Sequence, residues 1–211
     1  MPHIILLGDS IFDNASYTRG GPDVIAQVRQ LLPQGWKASL LAVDGSVTLN
    51  VPAQLEPLPQ DASHLVLSVG GNDALMKSEI LNTPVRSTAE ALALLADVAG
   101  RFEENYREAV HACLQPNLPL GLCTIYNGRF DDVKFQRAVT TALKIFNDAI
   151  LRVAFELGLP VIDLRFICTS VPDYANPIEP SSVGGAKIAR AILNLASPPS
   201  GQTSRTEVFI A

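Results

Sequence analysis

The chain has 211 residues, 47% of them hydrophobic and 18% charged, so it is long and apolar enough to bury a core. This length suits one α/β domain, or at most two small ones. The net charge of −5, without clusters of basic residues, argues against a nucleic-acid-binding surface. The sequence contains only three histidines, His3, His64 and His111, although histidine is the usual general base of hydrolases.

The amino-terminal residues do not have the pattern of a secretory signal, because the apolar run is short and lacks a basic start. No apolar run approaches the roughly 18 residues of a membrane helix. We therefore expect a cytoplasmic protein without a membrane partner. The three cysteines, Cys113, Cys123 and Cys168, have neither CxxC nor zinc spacing, so we expect buried thiols and no metal site.

Five short apolar runs predict β-strands that helices cover on both faces, since the runs are almost continuously hydrophobic. They are residues 3–7, 38–43, 64–69, 118–125 and 160–164. Helical patterns lie between and after them, at residues 22–32, from about Ser87 onward, at 133–157 and at 182–195. Pro22 suits a first helical turn, and Ser87 with Glu90 has the spacing of a capping box.

The alternation of strands and helices predicts a parallel sheet with right-handed crossovers. We predict an α/β fold, a three-layer αβα sandwich with a five-stranded parallel sheet in flavodoxin-like order. One domain covers residues 1–197. Residues 198–211, rich in Ser, Pro, Thr and Gly, form a predicted flexible tail whose apolar end could also dock on the body or on a neighbour.

Small and polar residues follow the first three predicted strands. They are GDS at residues 8–10, DGS at 44–46 and GGND at 70–73. Ligands of parallel α/β sheets bind outside the carboxyl ends of the strands, where these residues meet. Acyl transfer fits them: the Ser10 alcohol attacks a carbonyl, and the amides of Ser10 and Gly45 with the Asn72 side chain stabilise the oxyanion.

The motifs GDSIFDN, DGS and GGND, in this order and spacing, resemble the first three sequence blocks of the SGNH, or GDSL, hydrolase family. The resemblance covers essentially residues 2–195. It implies an αβα sandwich that hydrolyses carboxylic esters or related acyl groups. It also implies that Ser10 is the nucleophile and that Ser10, Gly45 and Asn72 form the oxyanion hole. No metal or organic cofactor is implied. We therefore predict an esterase- or lipase-like serine hydrolase for a small ester or acyl substrate.

The last block of that family, Asp-x-x-His, is replaced here by Asn-Pro-Ile-Glu at residues 176–179. Asn176 stands in the place of the aspartate, and Glu179 in the place of the histidine. Two of the three histidines begin predicted strands at the edge opposite Ser10, and the third lies near the end of a long helix. No histidine is therefore predicted at the site.

Two roles remain open for Glu179. As the catalytic base it forms a Ser–Glu dyad, provided that desolvation raises its pKa from about 4.3 towards neutrality. As a structural residue it caps the last helix, which would start at Pro180, or pairs with Arg165, and the helix dipole lowers its basicity. The functional alternative to a hydrolase is a non-catalytic or weakly active relative that binds a small acyl ligand.

Other polar side chains near this edge have structural explanations. We expect Asp9 to support the loop of the nucleophile by hydrogen bonds, and Asp13 to close an Asx-turn. Asp73 is expected to cap the helix that follows it. Tyr17 and Tyr126 either line an acyl pocket or contribute only packing.

Overall fold

The computed structural model describes residues 1–197 and Val208, and its core is a five-stranded parallel sheet. The strands are β1 (His3–Gly8), β2 (Lys37–Leu40), β3 (His64–Ser68), β4 (Leu120–Cys123) and β5 (Val161–Ile162). Their order, β2-β1-β3-β4-β5, is the flavodoxin-like order. The predicted fold class is confirmed. The predicted tail, 198–211, lies outside the described residues except for Val208.

Six α-helices in the described residues accompany the sheet. They are α1 (Val24–Leu31), α2 (Val51–Gln54), α3 (Gly71–Leu75), α4 (Thr88–Leu114), α5 (Val133–Glu156) and α6 (Ser182–Ala196). Successive side chains of β1 point to opposite faces, so Ile4 and Leu6 pack with α1 and α6, whereas Ile5 and Leu7 pack with α4 and α5. This alternation produces the three layers.

The helix starts show where the sequence patterns were right and where they were wrong. Ser87 caps α4 as predicted, because its side chain accepts a hydrogen bond from the Glu90 amide at 3.1 Å. Pro22 does not lie in the first turn of α1. The side chain of Asp23 caps that helix by accepting from the Ala26 amide at 2.8 Å, so Pro22 precedes the cap.

Helices α4 and α5 are much longer than the strands that they cover. The 27 residues of α4 span about 40 Å, whereas the six residues of β1 span about 20 Å. The amino-terminal halves of both helices reach the carboxyl edge of the sheet and line a pocket there. None of the helices in the described part of the chain is long and apolar enough to cross a membrane.

Candidate active site

Ser10 lies in the loop that directly follows β1. The carboxylate of Asp9 accepts a hydrogen bond from the Ile11 amide at 3.1 Å, so Asp9 supports this loop as predicted. Gln54 holds the residue before the loop: it accepts from the Gly8 amide and donates to the Gly8 carbonyl, each at 2.8 Å. The sequence did not indicate Gln54, because the four-residue helix α2 is too short for a periodic pattern.

Ser10 and Glu179 are joined by a direct hydrogen bond. The Ser10 hydroxyl donates to Glu179 Oε1 at 3.0 Å, and both side chains are buried. Burial raises the pKa of Glu179 to about 7, although the hydrogen bond from Ser10 lowers it; the negative charge of Asp44 raises it further. Glu179 Oε2 is buried and has no hydrogen-bond partner within the described residues. The carboxyl group therefore titrates near neutral pH beside the serine hydroxyl.

The backbone around Glu179 is fixed from three sides. Asn176 Oδ1 accepts from the amides of Ile178 and Glu179, each at 2.9 Å. The Tyr126 hydroxyl donates to the Ile178 carbonyl at 2.6 Å. Asn14, fully buried, donates to the carbonyl that follows Glu179 at 3.1 Å. Asn14 was missed as a site residue, although it ends the GDSIFDN motif.

The expectation that Glu179 caps a helix or pairs with Arg165 is wrong. Helix α6 begins after Ser181, whose hydroxyl accepts from the first free amides, and Pro180 precedes this cap. Arg165 forms its ion pair with Asp163 at 2.5 Å, two residues away in the sequence. Glu179 therefore has neither of the partners that would explain it as a structural carboxylate.

The predicted oxyanion donors do not all lie in one cavity. The backbone amides of Ser10 and Gly45 make no hydrogen bond within the described residues. Asn72 lines the same pocket as Ser10, and its side-chain amide donates one hydrogen bond to the Ser46 carbonyl at 2.9 Å, which leaves a second N–H. Gly45 lies in an exposed turn with φ of +78° and lines a separate, shallow groove. The oxyanion roles of these three residues remain predictions.

Carboxylates tie the loops after β1, β2 and β3 together. Asp73 lies inside α3 and does not cap it; it accepts from the Thr48 amide at 3.1 Å and from the Thr48 hydroxyl at 2.6 Å. Asp13 accepts from the Asp44 amide at 2.9 Å instead of closing an Asx-turn. The Tyr17 hydroxyl donates to Asp44 at 2.7 Å, and Tyr17 does not line the pocket. These contacts replace the local roles expected for Asp73 and Asp13.

None of the three histidines, which all lie within the described residues, forms a hydrogen bond with Ser10. His3 bonds to Asp61 at 2.8 Å at the amino-terminal end of β1. His64 begins β3, and His111 is exposed in the last turn of α4. The side chain that accepts a hydrogen bond from the Ser10 hydroxyl is therefore a carboxylate and not an imidazole.

An apolar pocket opens beside Ser10 and Glu179. One part of its wall comes from α4 and α5, with Leu95, Val98, Val139, Ala142, Leu143 and Phe146. Side chains of the segments after α3 and after β4 complete it, among them Ile80, Leu81 and Phe130. Tyr126 also lines it, which is one of the two roles expected for this residue, and it packs in the core as well. Within the described residues, no three His, Cys, Asp or Glu side chains are grouped as metal ligands.

Asp9 is a second acid at the site whose protonation is coupled to folding. Burial raises its pKa to about 8, and the negative charges of Glu179 and Asp73 add to this, although the Ile11 amide lowers it. An unfolded aspartate has a pKa of about 3.9, so from about pH 4 to 8 only the folded state keeps the proton. The stability that Asp9 contributes is therefore fully present below about pH 4 and is lost as the pH rises to 8.

We expect Asp9→Asn, which keeps the acceptor oxygen for Ile11 but cannot ionise, to weaken the fall in Tm between pH 5 and 8. At pH 8 its Tm should exceed that of the wild type by several degrees. Differential scanning calorimetry across this range measures both quantities. Asp131→Asn, at an exposed position, serves as the control and should follow the wild-type curve. Parallel Tm curves for all three proteins would contradict a buried, protonated Asp9.

The comparisons with known proteins agree with this architecture. The family model described as the GDSL-like lipase/acylhydrolase family matches residues 6–184. An extracellular lipase from Streptomyces rimosus is similar in structure, with a TM-score of 0.69 and 17% identity over 92% of this chain and 100% of that one. A phospholipase A1 from Streptomyces albidoflavus has a TM-score of 0.65 and 16% identity over 90% and 97% of the two chains.

A further similar structure is an acetyl xylan esterase, with a TM-score of 0.63 and 19% identity over 91% of this chain and 98% of that one. No curated protein matches the sequence. Identities this low establish the common fold and not a shared substrate. The family model, however, spans most of the sequence and includes Ser10, Asn72 and Glu179. The chain therefore belongs to the GDSL-like lipase/acylhydrolase family.

Proposed function

We propose that the protein is a serine hydrolase that cleaves carboxylic esters, with Ser10 as nucleophile and Glu179 as general base. The observation that carries this proposal is the 3.0 Å hydrogen bond from the Ser10 hydroxyl to Glu179 Oε1. A general base is most effective when its pKa lies near the working pH, and burial raises the pKa of Glu179 to about 7. The ester hydrolases among the similar structures support the choice of substrate.

In the proposed reaction, Glu179 takes the proton of Ser10 while the Ser10 oxygen forms a bond to the ester carbonyl carbon. The tetrahedral intermediate collapses, the bond to the alcohol oxygen breaks, and the protonated Glu179 returns the proton to the leaving alcohol. Water then attacks the acyl-enzyme and gives a proton to Glu179. The second intermediate releases the carboxylic acid, and Ser10 recovers the proton.

The negative oxygen of each tetrahedral intermediate needs hydrogen-bond donors. The amides of Ser10 and Gly45, which are free within the described residues, and the second N–H of Asn72 are the donors that we propose. The removal of one such donor costs about 10²–10³ in kcat in serine proteases. Within the described residues, Ser10 is the one side chain that donates to the Glu179 carboxylate, and the buried Oε2 has no partner, so no cation neutralises the base.

A fluorophosphonate probe, which reacts with activated serines, tests the dyad. We expect the labelling rate of Ser10 to rise between pH 5 and 8 with a midpoint near 7, because only the ionised Glu179 accepts the serine proton. Intact-protein mass spectrometry over a time course measures this rate.

Two variants show whether the probe reacts with Ser10. Ser10→Ala should abolish labelling, whereas Ser16→Ala, which removes an exposed serine of the same loop region, should label like the wild type. A folded protein that stays unlabelled from pH 6 to 9 would favour the non-catalytic, acyl-binding alternative. Labelling without pH dependence would exclude Glu179 as the base.

A further inference from the structure

We propose, on the basis of the proposed function, that the pocket between the amino-terminal halves of α4 and α5 binds the acyl chain of the ester. The protein then prefers unbranched acyl chains of medium length to acetyl groups, and Ala142 is a specificity-determining residue. The decisive juxtaposition is an apolar cavity that begins at Ser10 and Glu179 and extends to Phe146.

The pocket is continuous with the reacting groups. Ser10, Asn72 and Glu179 line the same cavity as Val98 and Phe146. A chain attached to the Ser10 oxygen therefore reaches apolar side chains without crossing solvent.

The chemistry of the lining selects a hydrocarbon over a polar group. Of the charged residues that line the pocket, Asp9 and Glu179 belong to the catalytic loops, and Lys77 is exposed at the rim. The walls between the two helices carry aliphatic and aromatic side chains. A sugar hydroxyl in this position would lose its hydrogen bonds to water without replacement, whereas each methylene gains free energy from burial.

The pocket side chains of α4 and α5 differ in burial along the helices. Near the amino-terminal ends, Leu95, Val98 and Val139 are half-buried, so an acyl chain can cover them further. Further along, Phe102 of α4 and Phe146 of α5 pack with their ring centroids 5.0 Å apart. Phe146 lines the pocket, so its ring, held by this packing, limits the length of the chain.

The acyl part suits the pocket better than the alcohol part. On the other side of Ser10, the loops are exposed and carry Asp44 and Asp13, which are joined by a 2.9 Å hydrogen bond. A released alcohol can diffuse away from this open side. The acyl group stays attached to Ser10 in the intermediate and therefore gains from a closed apolar site.

A series of p-nitrophenyl esters with the same leaving group tests the preference. Because each buried methylene contributes about 0.8 kcal/mol, kcat/KM should rise about fourfold per methylene, and about two-hundredfold over the four methylenes from acetate to hexanoate. Alkyl acetates with the same chains on the alcohol side should show no such rise. A flat acyl series, or a rise confined to the alcohol series, would overturn the assignment.

Ala142→Phe should reduce the ratio of kcat/KM for hexanoate to that for acetate at least tenfold, because the added ring fills the pocket. Ala138→Phe places the same ring on the exposed face of α5, one turn earlier, and should keep the wild-type ratio. Equal ratios in both variants would contradict the role of Ala142.

Binding to Ser10→Ala separates this proposal from the proposed function. By isothermal titration calorimetry, 2-decanone, an uncharged ketone that cannot be hydrolysed, should bind this variant, and Ala142→Phe should weaken its binding at least tenfold. Binding without any esterase activity in the wild type would remove the hydrolase proposal and leave the acyl pocket. Ester hydrolysis in the wild type without ketone binding would overturn the acyl pocket alone.

Discussion

Replacing Glu179 with glutamine is expected to lower kcat for an unactivated alkyl ester about a thousandfold, because positioned acid–base groups typically contribute 10²–10⁴ to the rate. Glutamine has nearly the same size, and its Oε1 can still accept the hydrogen bond from Ser10. It cannot take the proton of Ser10 or return one to the alcohol. Release of acid in a pH-stat, measured with purified wild type and variant, gives both rates.

If Glu179 had a structural role instead, Glu179→Gln would lower the stability of the fold and not specifically kcat. Because burial raises the pKa of Glu179 to about 7, its charge costs stability above that pH, and the neutral glutamine should keep or increase the free energy of unfolding at pH 8. Asp44→Asn is the matched control. It removes a nearby charge that raises the pKa of Glu179, so it should lower the midpoint of the pH–rate profile while kcat changes by less than a few fold. Wild-type kcat in Glu179→Gln would show that another group takes the proton.

The layered fold was predictable because its elements are long enough to carry a pattern. The buried runs of β1 and β3 and the periodic faces of α4 and α5 each repeat the same signal over several residues. The carboxyl edge of a parallel sheet then indicates which loops meet. For this reason Ser10 and Asn72 were assigned to one place from the sequence, and the structure puts both at one pocket.

The sequence-based predictions that were wrong, and the features that they missed, depend on contacts between residues far apart in the sequence. Ser10 and Glu179 are 169 positions apart, and only the folded chain decides that Glu179 faces Ser10 and not Arg165. Pro180 has the residue type of a first helical turn, but its pairing with Tyr174 in a β-bridge keeps it outside α6. The pocket itself is lined by segments from Asp9 to Glu179, and no single segment encodes it.

Gly8→Ala is expected to destabilise the fold by about 3–5 kcal/mol, the largest effect of any single methyl group near the site. Gly8 ends β1 with φ of +120°, a conformation that side chains with a Cβ rarely adopt. An added Cβ would overlap the carbonyl oxygen of Ser68 in β3. That oxygen accepts from the Asp9 amide at 3.0 Å, so β3 cannot move away without disturbing the loop of the nucleophile. Urea denaturation measures the loss.

Gly20→Ala serves as the control that distinguishes the cost of steric overlap in Gly8→Ala from the cost of a positive φ. Gly20 also has a positive φ, +84°, but an added Cβ would meet no atom within 4 Å. We expect it to cost about 1 kcal/mol, the strain of the conformation alone. If both variants lose equal stability, close approach of the strands is not the reason for glycine at position 8. If the loss in Gly8→Ala is the larger, the contact between β1 and β3 fixes the position of Ser10, and a partly folded Gly8→Ala protein should lose fluorophosphonate labelling before it loses its helices.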